Sequence, residues 1–452
     1  MVGQVINHSI IRRSQLEGAI RLDAEYYQPE YLEVRNYLLS KQYWILGDHA
    51  FITDGEHGSV EYLENGIRFL TAENIQEGFL DLDAIRYVSE VVDQRNRRAS
   101  LKPQDVTLSI KGTIGVAAIA FEDDLPANMN RDVSRISIRD SINPFFLAVF
   151  LNSRFGKGQT LRESSGNVQQ MITLGRLREL LIPKISEKRQ FQLEQIYLET
   201  YHYLKQGKTL YSEAEDLFLK ELGLKNFKPD HELSYIVNLS VVKSAHRADS
   251  EYFQPKYEKI IEKIKKQNVK TLGNLVSLRK GFEPGSAEYQ NEGKLFIRVS
   301  NISKQGLIDK DQKYLSDELY KELKKGFEPR PGEILLTKDA TPGIAYVLKE
   351  SVEGIIAGGI IRLKLKEDIE GEYLALCINS IVGQMQIAQD SGGSVIAHWK
   401  PEQIKKLQVP ILPKSTQQKI ADLVRQSHQA RKKAKELLDK AKREVEDLIE
   451  KA

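Results

Sequence analysis

The sequence predicts an α+β chain: two similar β-rich domains and two long helices that pair as an antiparallel coiled coil, with an internal pseudo-twofold. Three observations predict it. The first is a repeat. Arg21-Leu22-Asp23-Ala24-Glu25-Tyr26-Tyr27-Gln28-Pro29 returns 226 residues later as Arg247-Ala248-Asp249-Ser250-Glu251-Tyr252-Phe253-Gln254-Pro255. The echo continues with little drift: Leu46-Gly47 matches Leu272-Gly273, Asn74-Ile75 matches Asn301-Ile302, and Gly115 matches Gly343. Further on, Asn152-Ser153 matches Asn379-Ser380, Gly166-x-Val168 matches Gly393-x-Val395, and Ile182-Pro183 matches Val409-Pro410. The second observation is strand-like alternation inside each copy, and the third is a long uninterrupted helical pattern closing each copy.

In chain order, residues 1–186 form the first β-rich domain. Its strand signals are Ile67–Leu70, Val106–Ile110, Val116–Ile119 and Ser134–Ile138, broken by Gly, Asp and Asn. Residues 187–225 are the central helix. Leu193, Ile196, Tyr197, Tyr201, Leu204, Tyr211, Ala214, Leu217 and Phe218 recur at helical spacing, with Gly223 and Pro229 as stop signals. Residues 226–413 repeat the β-rich pattern at Phe296–Val299, Ile334–Thr337, Ala345–Leu348 and Ile361–Leu365. Short helices are expected at 144–155, 173–180, 371–389 and 400–406. Residues 414–452 form the C-terminal helix, opened by the capping pattern Ser415-x-x-Gln418 and free of Gly and Pro.

A helix of about 36 residues is roughly 54 Å long at 1.5 Å per residue. A narrow apolar stripe of that length cannot be covered by one small domain, so each long helix needs the other. The expected core of the pair is Leu193, Tyr197, Leu204, Tyr211 and Leu217 on the first helix. On the second it is Ile420, Val424, Leu437, Val445 and Leu448. Residues 187–222 hold five Lys/Arg against seven Asp/Glu, and residues 414–452 eleven against seven, so the helices carry opposite net charge. An antiparallel pair is preferred because it sends the two β-rich halves to opposite ends.

Composition narrows the function classes. Hydrophobic residues at 41% and charged residues at 29% describe a soluble globular chain. No apolar run approaches the ~20 residues of a membrane span, and His8, Arg12, Arg13 and Glu17 interrupt the N-terminus, which does not read as a signal peptide. A single cysteine, Cys377, excludes disulfides within the chain and fits a reducing cytoplasm. The histidines lack ligand spacing, so no metal is expected. Net charge is only +3, so a nucleic-acid surface would have to be local.

Two local features join the repeat in pointing to a family. Each long helix is entered through a Pro-then-Gln lead: Leu181-Ile182-Pro183 before Gln190, and Val409-Pro410-Ile411-Leu412-Pro413 before Gln417. A glycine-bracketed loop, Thr53-Asp54-Gly55-Glu56-His57-Gly58-Ser59, opens the β-rich part. With two β-rich units each followed by a long helix, the chain resembles the specificity (S) subunit of type I restriction–modification systems over nearly its whole length. The resemblance implies a non-catalytic DNA reader in which each target-recognition domain reads one half of a bipartite asymmetric site. The helices would fix the spacing and dock two methylation (M) subunits, with restriction and translocation (R) subunits joining them. S-adenosylmethionine, Mg and ATP would then belong to partner subunits, and this chain would hold no cofactor.

Base edges are usually read by Arg, Lys, Asn, Gln or His on loops, while other basic residues hold phosphates. Candidates in the first half are Asp54, His57, Arg95, Arg97, Arg98, Lys111, Asn128, Asn130, Arg131, Gln169 and Gln170. Those in the second half are Lys280, Ser286, Tyr289, Lys338, His398 and Lys400. Both copies place a glycine turn before different polar residues, Gln169-Gln170 against Ala397-His398, as expected of one scaffold with two vocabularies. Against this, Arg95–Arg98 could be a solvated helix face, His57 a structural loop histidine, and Trp399 core filling.

Asn143-Pro144-Phe145-Phe146 has a superficial likeness to the signature of amino-methyltransferases, but the second Pro is missing. An Asn cap followed by Pro at the first helical position explains it. No Gly-rich S-adenosylmethionine loop and no GxxxxGK[ST] phosphate loop stands out. The rival readings are a self-sufficient methyltransferase or nuclease with fused specificity domains, and a protein scaffold that binds no DNA.

Overall fold

A computed structural model describes residues 9–13, 16, 21–166, 169–309, 311–391 and 398–451. The repeat anchors Val168, Gly393 and Val395, together with Gly392 and Ala397 of the second glycine turn, lie outside the described residues. The chain divides into two compact units, one made of residues 1–204 and 432–452, the other of residues 205–431.

In the first unit, a four-stranded antiparallel sheet runs in the order Ala50–Asp54, Val133–Ile138, Val106–Ser109, Ala117–Ile119. A second sheet sets Ile67–Leu70 between Arg86–Val88 (antiparallel) and Ala127–Met129 (parallel). A short ribbon pairs Tyr43–Ile45 with Leu181–Pro183, just before the long helix. The sequence-predicted strands therefore form. The expected helix at 144–155 is instead two helices, Pro144–Asn152 and Arg154–Glu163, broken at Ser153. Ser153 Oγ accepts from the Gly156 N–H at 3.4 Å, capping the second helix. The Asn143 side chain accepts from the Phe145 and Phe146 N–H groups at 2.9 and 3.3 Å, so that motif is a helix cap. Phe146, Phe150 and Phe155 fill the core beneath the first sheet.

The second unit repeats this order: Val276–Lys280, Ile360–Leu365, Ile334–Thr337, Ala345–Val347 in one sheet, and Lys294–Ile297 between Lys313–Leu315 and Gly354–Ile356 in the other. Here too the expected helix at 371–389 is two, Gly371–Asn379 and Ile381–Asp390, with Ser380 as the cap between them. Helices at Pro29–Leu39 and Pro255–Ile264 were not anticipated.

The repeated residues prove to be the ones that tie the backbone together. Asn152 pairs its amide with the backbone of Ala117, at 3.0 and 2.8 Å, and Asn379 does the same with Ala345, at 2.9 and 2.7 Å. Arg21 grips Asp23 and the Ser164 carbonyl, while Arg247 grips Asp249 and the Gln389 carbonyl. Buried and half-buried amides and guanidiniums of this kind hold strand and helix ends that would otherwise leave polar backbone unpaired.

Both long helices form, Glu187–Glu221 and Lys414–Lys451. In the first unit, Leu193 and Tyr197 share a core with Ala441, Val445 and Ile449. In the second, Tyr211, Ala214 and Phe218 share a core with Ile420 and Val424. The start of one helix thus meets the end of the other, and the pairing is antiparallel. Two core positions shift by one residue. Phe218, not Leu217, is fully buried, and Ile449 takes the place expected of Leu448, while Leu204 is only half-buried. Adjacent apolar residues lie about 100° apart on a helix, and Phe218 and Ile449 each fall one turn beyond buried Ala214 and Val445.

Candidate nucleic-acid interface

In the first unit the loop after strand Ala50–Asp54 is pinned from below. A Cβ on Gly55 would lie 1.9 Å from the Met129 carbonyl oxygen, so only glycine lets the loop cross that strand end. The Glu56 N–H donates to the Met129 carbonyl at 2.9 Å, and the Arg131 N–H donates to the Glu56 carbonyl at 3.0 Å. Two carboxylates stand half-sunk in this loop. Asp54 accepts from His57 Nε2 at 2.8 Å and from the Arg98 guanidinium at 3.4 Å. Glu56 accepts from the Gly58 N–H at 2.8 Å and from Arg95 Nε and Nη2 at 3.1 and 2.8 Å. The Gly58 N–H and the Arg95 guanidinium outweigh partial burial and hold the Glu56 carboxyl below its ordinary range, so it stays charged.

The arginine run approaches from helix Glu90–Arg95 and the 3-10 turn Arg97–Ala99. Its backing is buried or half-buried. Asn128 donates to Asp93 Oδ1 at 2.8 Å and to the Asn96 carbonyl at 3.3 Å, and its own Oδ1 accepts from the Met129 N–H at 2.7 Å. The exposure of Asn128 is 0%, so it supports the turn from inside and is not an outward-facing reader. Arg135, also buried, pairs with Asp105 at 2.6 Å and donates to the Arg98 carbonyl at 2.9 Å. What faces outward is Arg95, Arg97, Arg98, Arg131 and His57. Four guanidiniums against two carboxylates leave the patch net positive.

Beside the strand end at Ser109, Lys111 lies 3.8 Å from Asp132, whose other oxygen accepts from Asn130 Nδ2 at 2.8 Å. The backbone of Lys111 bridges to Met171, closing the loop that exposes Gln169 and Gln170. The second unit builds the same bridge from Asp339 and His398. Around it the side chains differ. Asp339 accepts from His398 Nδ1 at 2.8 Å and pairs with Lys338. Burial would raise the Asp339 carboxyl, but Lys338 and His398 outweigh it and hold the group low. Lys338 is only 9% exposed, so its ammonium is committed to Asp339 and does not extend as a surface contact. Trp399, next to His398, is 1% exposed and fills the core, as one of its two readings had it.

The remaining second-half candidates are not gathered into that group. Lys280 pairs with Glu283 at 3.5 Å, the Tyr289 ring packs 5.5 Å from Phe296, and Ser286 and Lys400 are exposed turn residues. The buried arginine recurs here as well. Arg362 lies 3.5 Å from Glu333 and donates to the Gly326 and Glu328 carbonyls, at the end of helix Asp317–Phe327. It holds a segment with no arginine run. Glu56 and Asp339, which organise the two groups, were missed in the sequence. The signal available was an acid inside each loop, facing a basic residue that cannot be left unoriented.

Among the described residues, no three His, Cys, Asp or Glu side chains converge as a metal site, and no helix is long and apolar enough to cross a membrane. Comparison with known proteins matches residues 264–439 to the model of a family described as the type I restriction modification DNA specificity domain. Residues 264–439 are thus similar to a type I restriction–modification specificity domain. A curated relative, the EcoBI specificity subunit of Escherichia coli, is 27% identical over 132 residues. That match spans 29% of this chain and 28% of the relative, little more than a quarter of its length. Among solved structures, the S subunit of a type I system from M. genitalium is 14% identical, covering 90% of this chain and 94% of its own, with a TM-score of 0.41. The HsdS subunit from Thermoanaerobacter tengcongensis is also 14% identical, covering 90% and 95%, with a TM-score of 0.29. The specificity-domain match falls on the second copy, the one built around Asp339 and His398.

Proposed function

We propose that this chain is the DNA sequence-recognition subunit of a type I restriction–modification complex. Each unit reads one half of a bipartite, asymmetric site on double-stranded DNA. The paired helices set the spacing and dock two methylation subunits, and restriction subunits complete the assembly. The chain itself is non-catalytic. S-adenosylmethionine, Mg and ATP act on the partner chains.

The observation that carries this reading is one backbone bridge dressed with two sets of side chains: Lys111 with Met171, and Asp339 with His398. A shared scaffold under unlike polar groups is what two half-sites of different sequence require. An enzyme with duplicated active sites would instead keep the same side chains in both copies.

Exchanging residues 24–183 for the first domain of another family member should change one half of the methylated sequence and leave the other half alone. A change in both halves, or in neither, sinks the reading. Deleting seven residues from each long helix should shorten the gap by about 10 Å, or roughly three base pairs. The rival, a self-sufficient methyltransferase, predicts that the purified chain binds S-adenosylmethionine. The reader predicts that it binds none.

A further inference from the structure

We propose that the first unit reads a guanine through Arg95, with Glu56 as the residue that positions it. The inference rests on the reading of this unit as a DNA half-site reader and adds the base it selects. Arg95 is 58% exposed, yet its Nε and Nη2 are both held by one oxygen of Glu56, whose side chain is 13% exposed. Among the described residues Nη1 has no protein partner, and with the second N–H of Nη2 it forms the outer end of a planar fork. Two parallel N–H donors at that end match N7 and O6 of guanine in the major groove.

The same geometry argues against a phosphate contact. Phosphate binding depends on net charge and tolerates a mobile side chain, whereas an arginine tied to a carboxylate gives up net charge in exchange for direction. Direction is what a base edge needs. The support continues inward: Glu56 is fixed by the Gly58 N–H, and the helix carrying Arg95 is fixed through Asp93 by Asn128 and by Ser100 Oγ at 2.6 Å. Arg97 and Arg131 provide the contrast. Both are exposed and, among the described residues, neither has an ion pair, which suits them to phosphates.

The test uses the full-length chain, a randomised duplex library, and titration of the selected duplexes at several salt concentrations. The wild-type chain is expected to enrich a half-site containing guanine. Arg95→Gln should reduce the preference for that guanine by about 5- to 150-fold, as one bidentate pair contributes, with the other positions unchanged. Glu56→Gln should give opposite signs in two readouts: tighter binding to unrelated DNA, because a negative charge is lost, and a weaker preference for guanine, because the fork is no longer aimed. Arg97→Gln should lower the salt slope by about one and leave the preference intact. Matching urea midpoints across the variants would show that each is folded. The inference is overturned if Arg95→Gln weakens all sequences equally with a loss of salt slope, or changes neither. A wild-type chain that enriches a half-site lacking guanine also overturns it, while leaving the functional reading standing. A chain that enriches no sequence sinks both.

Discussion

Gly207 offers a test of the helix pair in which the sign of the result decides. It lies in the middle of helix Glu187–Glu221, where glycine costs about 1 kcal/mol relative to alanine. On an isolated solvated helix, Gly207→Leu would therefore stabilise by about 0.7 kcal/mol. In the structure a Cβ at this position would lie 2.9 Å from Arg431 Cγ and 3.1 Å from the Ser427 carbonyl oxygen. Ser427 Oγ also donates to the Gly207 carbonyl at 2.6 Å, so the two helices touch backbone to side chain here. Arg431 can swing aside, but the Ser427 carbonyl moves only with its helix. Overpacking of this kind costs about 1–3 kcal/mol, so a net loss of about 1–2 kcal/mol is expected after the gain in propensity. With a urea dependence of about 2 kcal/mol/M, the unfolding midpoint should fall by about 0.5–1 M. Urea titration followed by circular dichroism reads this directly. A midpoint that rises would refute the close helix approach.

Other expected outcomes concern the supports. Tyr197→Phe keeps the ring but leaves the buried Ile119 N–H, now 3.0 Å from the Tyr197 hydroxyl, without an acceptor. A loss of about 1–3 kcal/mol in urea unfolding is expected, and a neutral result would mean that water replaces the hydroxyl. Asn128→Ala should cost a similar amount and raise amide exchange across residues 89–100, because Asp93, the Asn96 carbonyl and Ser100 lose a shared donor. Unchanged exchange there would remove Asn128 from the support. His428 is packed near Tyr211, Tyr346 and the Lys304 carbonyl, and burial lowers its pKa to about 4. The folded state keeps it neutral while the unfolded chain protonates near 6.5. Stability is therefore full above about pH 6.5 and is lost as pH falls toward 4, by up to about 3 kcal/mol. His428→Leu should flatten that limb of the urea-midpoint profile, and an unaltered slope would assign it to other groups.

The sequence alone carried the architecture, because its evidence was redundant. A repeat at a fixed offset, period-two alternation in the strands and two uninterrupted helical stripes all specify backbone pattern, and backbone pattern depends on local periodicity. It also read Asn143-Pro144 as a helix cap and not a catalytic motif, and offered core filling as one of two readings of Trp399. Only the tertiary structure decided which polar residues face outward. Asn128, Lys338 and Arg131 are indistinguishable in sequence, yet the first is fully buried, the second is committed to Asp339 and the third is exposed. The choice of Phe218 over Leu217 and Ile449 over Leu448 was likewise made by the facing helix. A polar side chain's role depends on whether a carboxylate or carbonyl stands within about 3 Å of it. Those partners come from residues tens of positions away, such as Glu56 for Arg95 and Asp105 for Arg135, and no local spacing encodes them.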